Sequence, residues 1–309
     1  MYRAKDFIVT EEGLAFAVVD NRVEEDKVLC FLRYVLENGT WRKLSTETAN
    51  ARLQAHSPEY LHYSQVLDAQ LHAVPQTNVV QHFKPERRLQ ALLKQADADE
   101  VIKDLQVFCR LLQDEGVQLE NIGVTGSLII GAQHADSDLD LVFYDRKVFQ
   151  QTRSVLADLI KQNKCQGLRE QDWEQSWQRR DCELSLEEYI WHEQRKFNKV
   201  MINGRKVDLS LLIEEAPETE IYSKRGPVAI RVQVTDDSQG FDYPARFNIQ
   251  HPEMTEIVCF SATYTGQAKA GEWVDVSGLL EASTDGRQRI IVGSTREARG
   301  EFIRVVAKI

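Results

Sequence analysis

Residues 137–145, Ser-Asp-Leu-Asp-Leu-Val-Phe-Tyr-Asp, restrict the fold more than any other stretch of the chain. Successive side chains of a strand point to opposite faces, so Leu139 and Leu141 read as core while Asp138 and Asp140 share the other side. Two carboxylates on one half-buried face repel each other unless one is protonated or a cation lies between them. Hard oxygen ligands of this kind suit Mg²⁺ or Mn²⁺. A second stretch, Lys-Val-Asp-Leu-Ser-Leu-Leu at 206–212, has the same texture, with Asp208 flanked by Val207 and Leu209. A strand carrying Asp208 beside the first would bring a third carboxylate to the pair.

Ahead of the pair, Gly126 and Ser127 follow directly on a strand-like Asn-Ile-Gly-Val-Thr. A glycine lets the backbone turn sharply and approach a ligand, and a serine hydroxyl with the amides after it can cradle a phosphate. Phosphate donors and cation-binding carboxylates thus fall within one supersecondary unit. That is the apparatus of in-line displacement at an α-phosphate, where metal ions activate a hydroxyl and neutralise the leaving pyrophosphate.

The order Thr-Gly-Ser, Ser-Asp-Leu-Asp-Leu, Lys-Val-Asp-Leu-Ser-Leu resembles the DNA polymerase β-type nucleotidyltransferase superfamily, over roughly residues 86–222. The resemblance implies that Gly126 and Ser127 form the triphosphate-binding turn. It implies Asp138 and Asp140 as paired ligands of two Mg²⁺ (or Mn²⁺) ions, with Asp208 as third ligand and as a helper in activating the attacking hydroxyl. The chain differs at 128–133, Leu-Ile-Ile-Gly-Ala-Gln, where many members carry a small basic segment; a phosphate contact supplied there by arginine has to come from elsewhere. Asp136 and His134 are lesser candidates for metal and phosphate.

Between the carboxylate strands, Arg195, Lys196 and Lys199, with Arg205 and Lys206, are candidates for the β- and γ-phosphates or the acceptor, a solvated helix face being the alternative. Trp173, Trp177, Tyr189 and Trp191 read as core or as platforms for a base.

Around this centre the chain reads as α+β in three parts. Residues 1–85 alternate strand-like runs with turn signals such as Asn38-Gly39, then offer a helix near residue 45 that Ser45 or Thr46 caps. They are expected to form a small α+β domain. Residues 86–222 open at Pro85 with one long or two abutting helices ended by Gly116. A mixed sheet with helices, polymerase β-like, is expected there. Residues 223–309 break into short β-branched runs, expected to form a small OB-like barrel that holds single strands by aromatic stacking and a basic groove. Its candidate contacts are Phe241, Tyr243, Phe247, Phe260, Tyr264, Arg246, Arg287, Arg289, Arg296 and Arg299.

Charge distribution sharpens this division. The formal charge of −10 disfavours non-specific binding of a polyanion. Yet residues 1–85 carry −2 (9 basic, 11 acidic), 86–222 carry −8 (18 against 26) and 223–309 balance at 11 against 11. The acidity gathers where cation-binding carboxylates are expected. Five scattered cysteines without a C-x-x-C pair argue against a disulfide framework or structural zinc and fit a reducing cytoplasm. No apolar run is long enough to span a membrane, and the start lacks the marks of a signal peptide.

The reading that follows is a metal-dependent transferase of NMP from NTP to a hydroxyl, with RNA or another single-stranded nucleic acid as partner and the 3′ end of RNA as acceptor. Two alternatives remain: the same chemistry on a protein or small molecule, and a non-catalytic nucleic-acid-binding protein.

Overall fold

A computed structural model of the chain describes residues 1–214, 220–295 and 298–306. Among these, seventeen strands and six α-helices make a mixed α+β protein with three sheets. The first sheet is built from β1 (Phe7–Thr10), β2 (Leu14–Glu24), β3 (Lys27–Glu37), β4 (Thr40–Lys43), β5 (Leu61–Ser64), β6 (Ala69–Pro75) and β7 (Val79–Phe83), with α1 (Thr46–His56) inserted after β4. Its order is β5-β6-β3-β2-β1-β7, with β4 beside β3. Asn38 and Gly39 both take positive φ, 51° and 77°, the two-residue turn that suits the twist of a hairpin. Ser45 caps α1, its side chain accepting from the Thr48 amide at 3.1 Å.

This sheet buries both faces. Phe16, Leu32, Val35, Leu53 and Tyr60 lie in one core. Phe7, Val9, Ala15 and Tyr34 pack on the other against Ile129 and Ile130.

The amphipathic run after Pro85 divides into α2 (Pro85–Leu93) and α3 (Glu100–Asp114). The break falls at Gln-Ala-Asp-Ala-Asp, where Asp99 caps α3 by accepting from the Ile102 amide at 2.8 Å. Then follow β8 (Ile122–Val124), β9 (Leu139–Phe143), α4 (Arg146–Lys161), α5 (Glu170–Arg180), α6 (Leu186–Gln194), β10 (Lys199–Ile202) and β11 (Arg205–Leu211). The second sheet has the order β10-β11-β9-β8, mixed in direction, with β9 and β11 parallel and β8 antiparallel to β9.

The third sheet comprises β12 (Tyr222–Asp236), β13 (Ala245–Gln250), β14 (Met254–Cys259), β15 (Trp273–Ser283), β16 (Gln288–Val292) and β17 (Phe302–Val305). Its order is β12-β13-β14-β16-β15-β17, and β12 also pairs with β15, so five strands close into a ring with β17 on its flank. Within the ring β14 and β16 run parallel.

By contacts the chain forms two units. One holds residues 1–65, 69–155 and the described part of 201–217; the other holds 66–68, 156–200 and the described part of 218–309. All five cysteines are free, and Cys30, Cys109, Cys165 and Cys259 are buried. No helix among the described residues is long and apolar enough to cross a membrane.

Candidate carboxylate and phosphate site

The parallel pairing of β9 with β11 sets Asp140 directly opposite Asp208. Both side chains therefore leave the same face, on strands about 4.8 Å apart. Leu139, Leu141, Val207 and Leu209 hold the opposite face, none more than 1% exposed. The alternation that made the stretch legible thus fixes both acids: a slip of one residue would drive them into the core.

The Thr125 amide donates to the Asp140 carbonyl at 2.9 Å, so the chain leaves β8 at the height of the carboxylate pair. Gly126 follows with φ of 67°, and a Cβ there would collide with the Asp140 carboxylate oxygen. Only glycine meets both demands. Ser127 then begins a tight turn in which its carbonyl accepts from the Ala132 amide at 2.8 Å. Arg88 on α2 fixes that turn, Nε donating to the Leu128 carbonyl at 2.9 Å.

Asp138 stands just ahead of β9, where Lys206 Nζ meets its Oδ2 at 2.6 Å. Arg205 secures the loop before it, Nη1 donating to the carbonyls of Ala135 and Ser137, each at 2.7 Å. Asp104 on α3 holds Arg205 in turn, accepting from Nε at 2.8 Å. Asp136 and His134 are exposed, and the His134 Nδ1 accepts from the Asp136 amide at 3.3 Å, so this ring serves the loop.

Electrostatics mark Asp140. Burial raises its pKa first, and the neighbouring charges of Asp208 and Asp138 raise it further, against the pull of Lys206 and Lys5. The carboxylate is short of positive charge, and its partners offer hard oxygens; a divalent cation fits that donor set. Among the described residues no three His, Cys, Asp or Glu side chains are already gathered as one metal-holding group. Asp140 and Asp208 form a facing pair, while Asp138 is engaged by Lys206.

Arg195, Lys196 and Lys199 belong to the other unit and are committed there. Lys196 is 1% exposed, its Nζ donating to Glu193 at 2.5 Å and to the Thr263 carbonyl at 2.8 Å. Lys199 pairs with the same Glu193, whose pKa the two ammonium groups hold down at about 2 despite its burial. Arg195 pairs with Glu272 at 2.5 Å and lies over the Trp191 ring. Trp173 and Tyr189 are core, whereas Trp191 is 46% exposed.

In the closed ring Phe247 and Tyr264 are buried, and Phe241, Tyr243 and Phe260 are half-buried. Arg246 pairs with Glu256, Arg289 with Glu281, and Arg287 with Asp285 and Glu220. Arg299 is exposed, and Arg296 lies outside the described residues.

Two cations at this site lie far upstream in sequence. Thr125 Oγ1 donates to the carbonyl of Lys5, 120 residues away, at 3.0 Å, and the charges of Lys5 and Arg33 both act on Asp140. No local motif announces them, because a non-local packing brings them in.

Among known proteins, the chain is 30% identical to the uncharacterized protein MJ1086 of Methanocaldococcus jannaschii over 338 aligned positions, covering 98% of each. No family model matches the sequence, and no solved structure matches it.

Proposed function

This chain belongs to the family of MJ1086 of Methanocaldococcus jannaschii, and we propose that it is a metal-dependent nucleotidyltransferase moving an NMP from an NTP to a hydroxyl acceptor. The observation that carries the reading is Asp140 facing Asp208 across parallel strands, with Gly126 packed against the Asp140 carboxylate. Acids that destabilise one another beside a backbone turn are costly for the fold alone, and such pairs cluster where chemistry needs them.

Asp138, Asp140 and Asp208 are the residues that would hold Mg²⁺ or Mn²⁺. When bound, such ions supply the positive charge that polarises the acceptor hydroxyl and offsets charge on the leaving pyrophosphate. Gly126 lets the triphosphate approach the backbone, and the Ser127 hydroxyl with the amides after it grips the phosphates. The acceptor oxygen forms a bond to the α-phosphorus as the bond to pyrophosphate breaks. Asp208 takes the hydroxyl proton.

The finer reading of the sheets belongs to the same proposal: a polymerase β-like domain around β8, β9 and β11, and an OB-like barrel from β12 to β16. Closure of the third sheet through β12 and β15, with one parallel pairing inside it, supports the barrel. Such barrels bind oligonucleotides, so the 3′ end of RNA is the proposed acceptor.

Label transfer from α-labelled NTP in the presence of Mg²⁺ tests the chemistry. Asp140→Ala and Asp208→Ala should each lower transfer about a thousandfold or more, equivalent to several kcal/mol of charge stabilisation, with folding retained. Transfer at the wild-type rate in both variants rejects the reading.

A further inference from the structure

We infer that Arg33, carried on a bulge of the N-terminal sheet, binds the triphosphate of the NTP seated at the Gly126–Ser127 turn. The inference rests on the nucleotidyltransferase reading and adds to it a residue from outside the segment that carries the motifs.

The bulge is visible in the register of β2 with β3. Ala15 pairs with Tyr34 and Phe16 with Leu32, which leaves Arg33 as the extra residue on β3. Bulges re-aim a side chain and are enriched beside active sites. Leu32 and Val35 belong to the same core, whereas Tyr34 packs on the opposite face with Ile129 and Ile130. Counting forward from Leu32 puts Arg33 on that opposite face, and counting back from Val35 puts Tyr34 there too. Two consecutive side chains therefore share the face that covers the segment next to Gly126 and Ser127. An unbulged strand could not present both.

Electrostatics agree with this placement. The Asp140 charge acts on Arg33 and on Tyr34, and burial lowers the Arg33 pKa below its ordinary value. A half-buried guanidinium has lost water that something must replace. Arg3, Arg195, Arg205, Arg246 and Arg289 are each held by a carboxylate at 2.5–2.9 Å. Among the described residues the Arg33 side chain makes no close ion pair or hydrogen bond, and the charge of Asp140 acts on it from a distance. Its planar fork of donors matches a phosphate in two-point contact.

Lys5 reinforces the pattern. Its backbone is held at φ of 73°, a region few non-glycine residues adopt, while its carbonyl accepts from Thr125 next to Gly126. The turn before β1 and the bulge on β3 thus bring two cations to an acidic pair, and a triphosphate with its cation completes the balance of charge.

Calorimetric titration with each of the four α,β-methylene nucleoside triphosphates in MgCl₂ tests this. The proteins compared are full-length wild type, R33K, R33Q and R52Q, the last a half-buried arginine on α1 paired with Glu37. R33Q should weaken the affinity of the bound nucleotide about tenfold or more, as expected for loss of a charge-assisted contact, with R33K between it and wild type and R52Q unchanged. Should R33Q fail to fold, R33K decides, because it keeps charge and stem and lacks the fork. Wild-type affinity in R33K and R33Q, or an equal loss in R52Q, overturns the role of Arg33 while leaving the transferase standing. A wild-type protein that takes up none of the four overturns both.

Discussion

Asp140 is costly to the fold, and the proposed transfer makes that cost intelligible. Its protonation equilibrium is raised by burial, then by Asp208 and Asp138. An acid whose folded-state pKa is raised subtracts stability wherever it is ionised, and the loss is recovered as pH falls through the raised pKa. At neutral pH the penalty is present. Asp140→Asn keeps the shape and removes the charge, so it should raise the melting temperature of the unliganded protein at pH 7, with the gain shrinking toward pH 4. The same substitution should abolish NMP transfer, the trade-off expected where a site is held against the preference of the fold. Differential scanning calorimetry at the two pH values checks it; a variant less stable than wild type at pH 7 shows that Lys206 and Lys5 already neutralise the pair. Gly126 belongs to the same compromise, since it gives up a side chain so that the turn can touch a carboxylate.

Among elements, the strands that carry the acidic pair were the most legible. Alternation made β9 and β11 readable and put Asp140 and Asp208 on a strand face, because a half-buried strand must separate its core from its polar side. The helix with a continuous apolar stripe ahead of Gly116, α3, was readable too. The strands β5, β6 and β7 were not: β5 and β7 are short edge strands, and β6, buried in a continuous run at 71–74, has no alternation to read. For β10 a signal existed: Asn203 and Gly204, at φ of 50° and 81°, form the two-residue turn to β11. The basic group at 195–199, read as a candidate phosphate grip, pairs with Glu193, a local partner three residues from Lys196, and with Glu272, 77 residues from Arg195; only the second partner is out of reach of local pattern.

The bulge that presents Arg33 was beyond sequence reasoning as well, and its support makes it acid-sensitive. Where the β3–β6 ladder ends, the His72 Nδ1 accepts from the Leu32 amide at 2.9 Å while Nε2 donates to Asn50 Oδ1 at 2.8 Å. That arrangement requires the neutral ring, and burial lowers its pKa from 6.5 to about 4. The unfolded chain takes up this proton more readily, so stability is lost as pH falls from about 6.5 to about 4, by roughly 3 kcal/mol in full. His192, lowered to about 4 by burial, adds to the same acid limb. Urea midpoints at pH 7, 5 and 4 should therefore fall in the wild type and fall less in His72→Gln, which starts lower. Parallel slopes in the two proteins would assign the limb to other groups.

For the whole molecule, the question is which acceptor the proposed transfer would meet. The net charge of −10 gives no general attraction for a polyanion, and in the ring of β12–β16 the arginines Arg246, Arg287 and Arg289 are each met by acids. A nucleic acid would thus gain little from phosphate contacts there and would depend on stacking with half-buried aromatics such as Tyr243 and Phe260, which meet edge to face at 6.3 Å. Such binding has a shallow salt dependence, because each phosphate neutralised contributes about one unit of slope and few cations remain to do so. Incubation of the full-length protein with α-labelled NTP and Mg²⁺, separately with total RNA and with total protein, should put label into the RNA pool. The labelling should persist on raising salt from 50 to 200 mM, a range over which a protein making many phosphate contacts loses about a thousandfold or more in affinity. Label entering the protein pool alone would move the acceptor to a side chain and leave Asp140 and Asp208 in their roles. Label in RNA that vanishes with modest salt would shift recognition from the aromatic surface of the ring to a cationic face elsewhere on the chain.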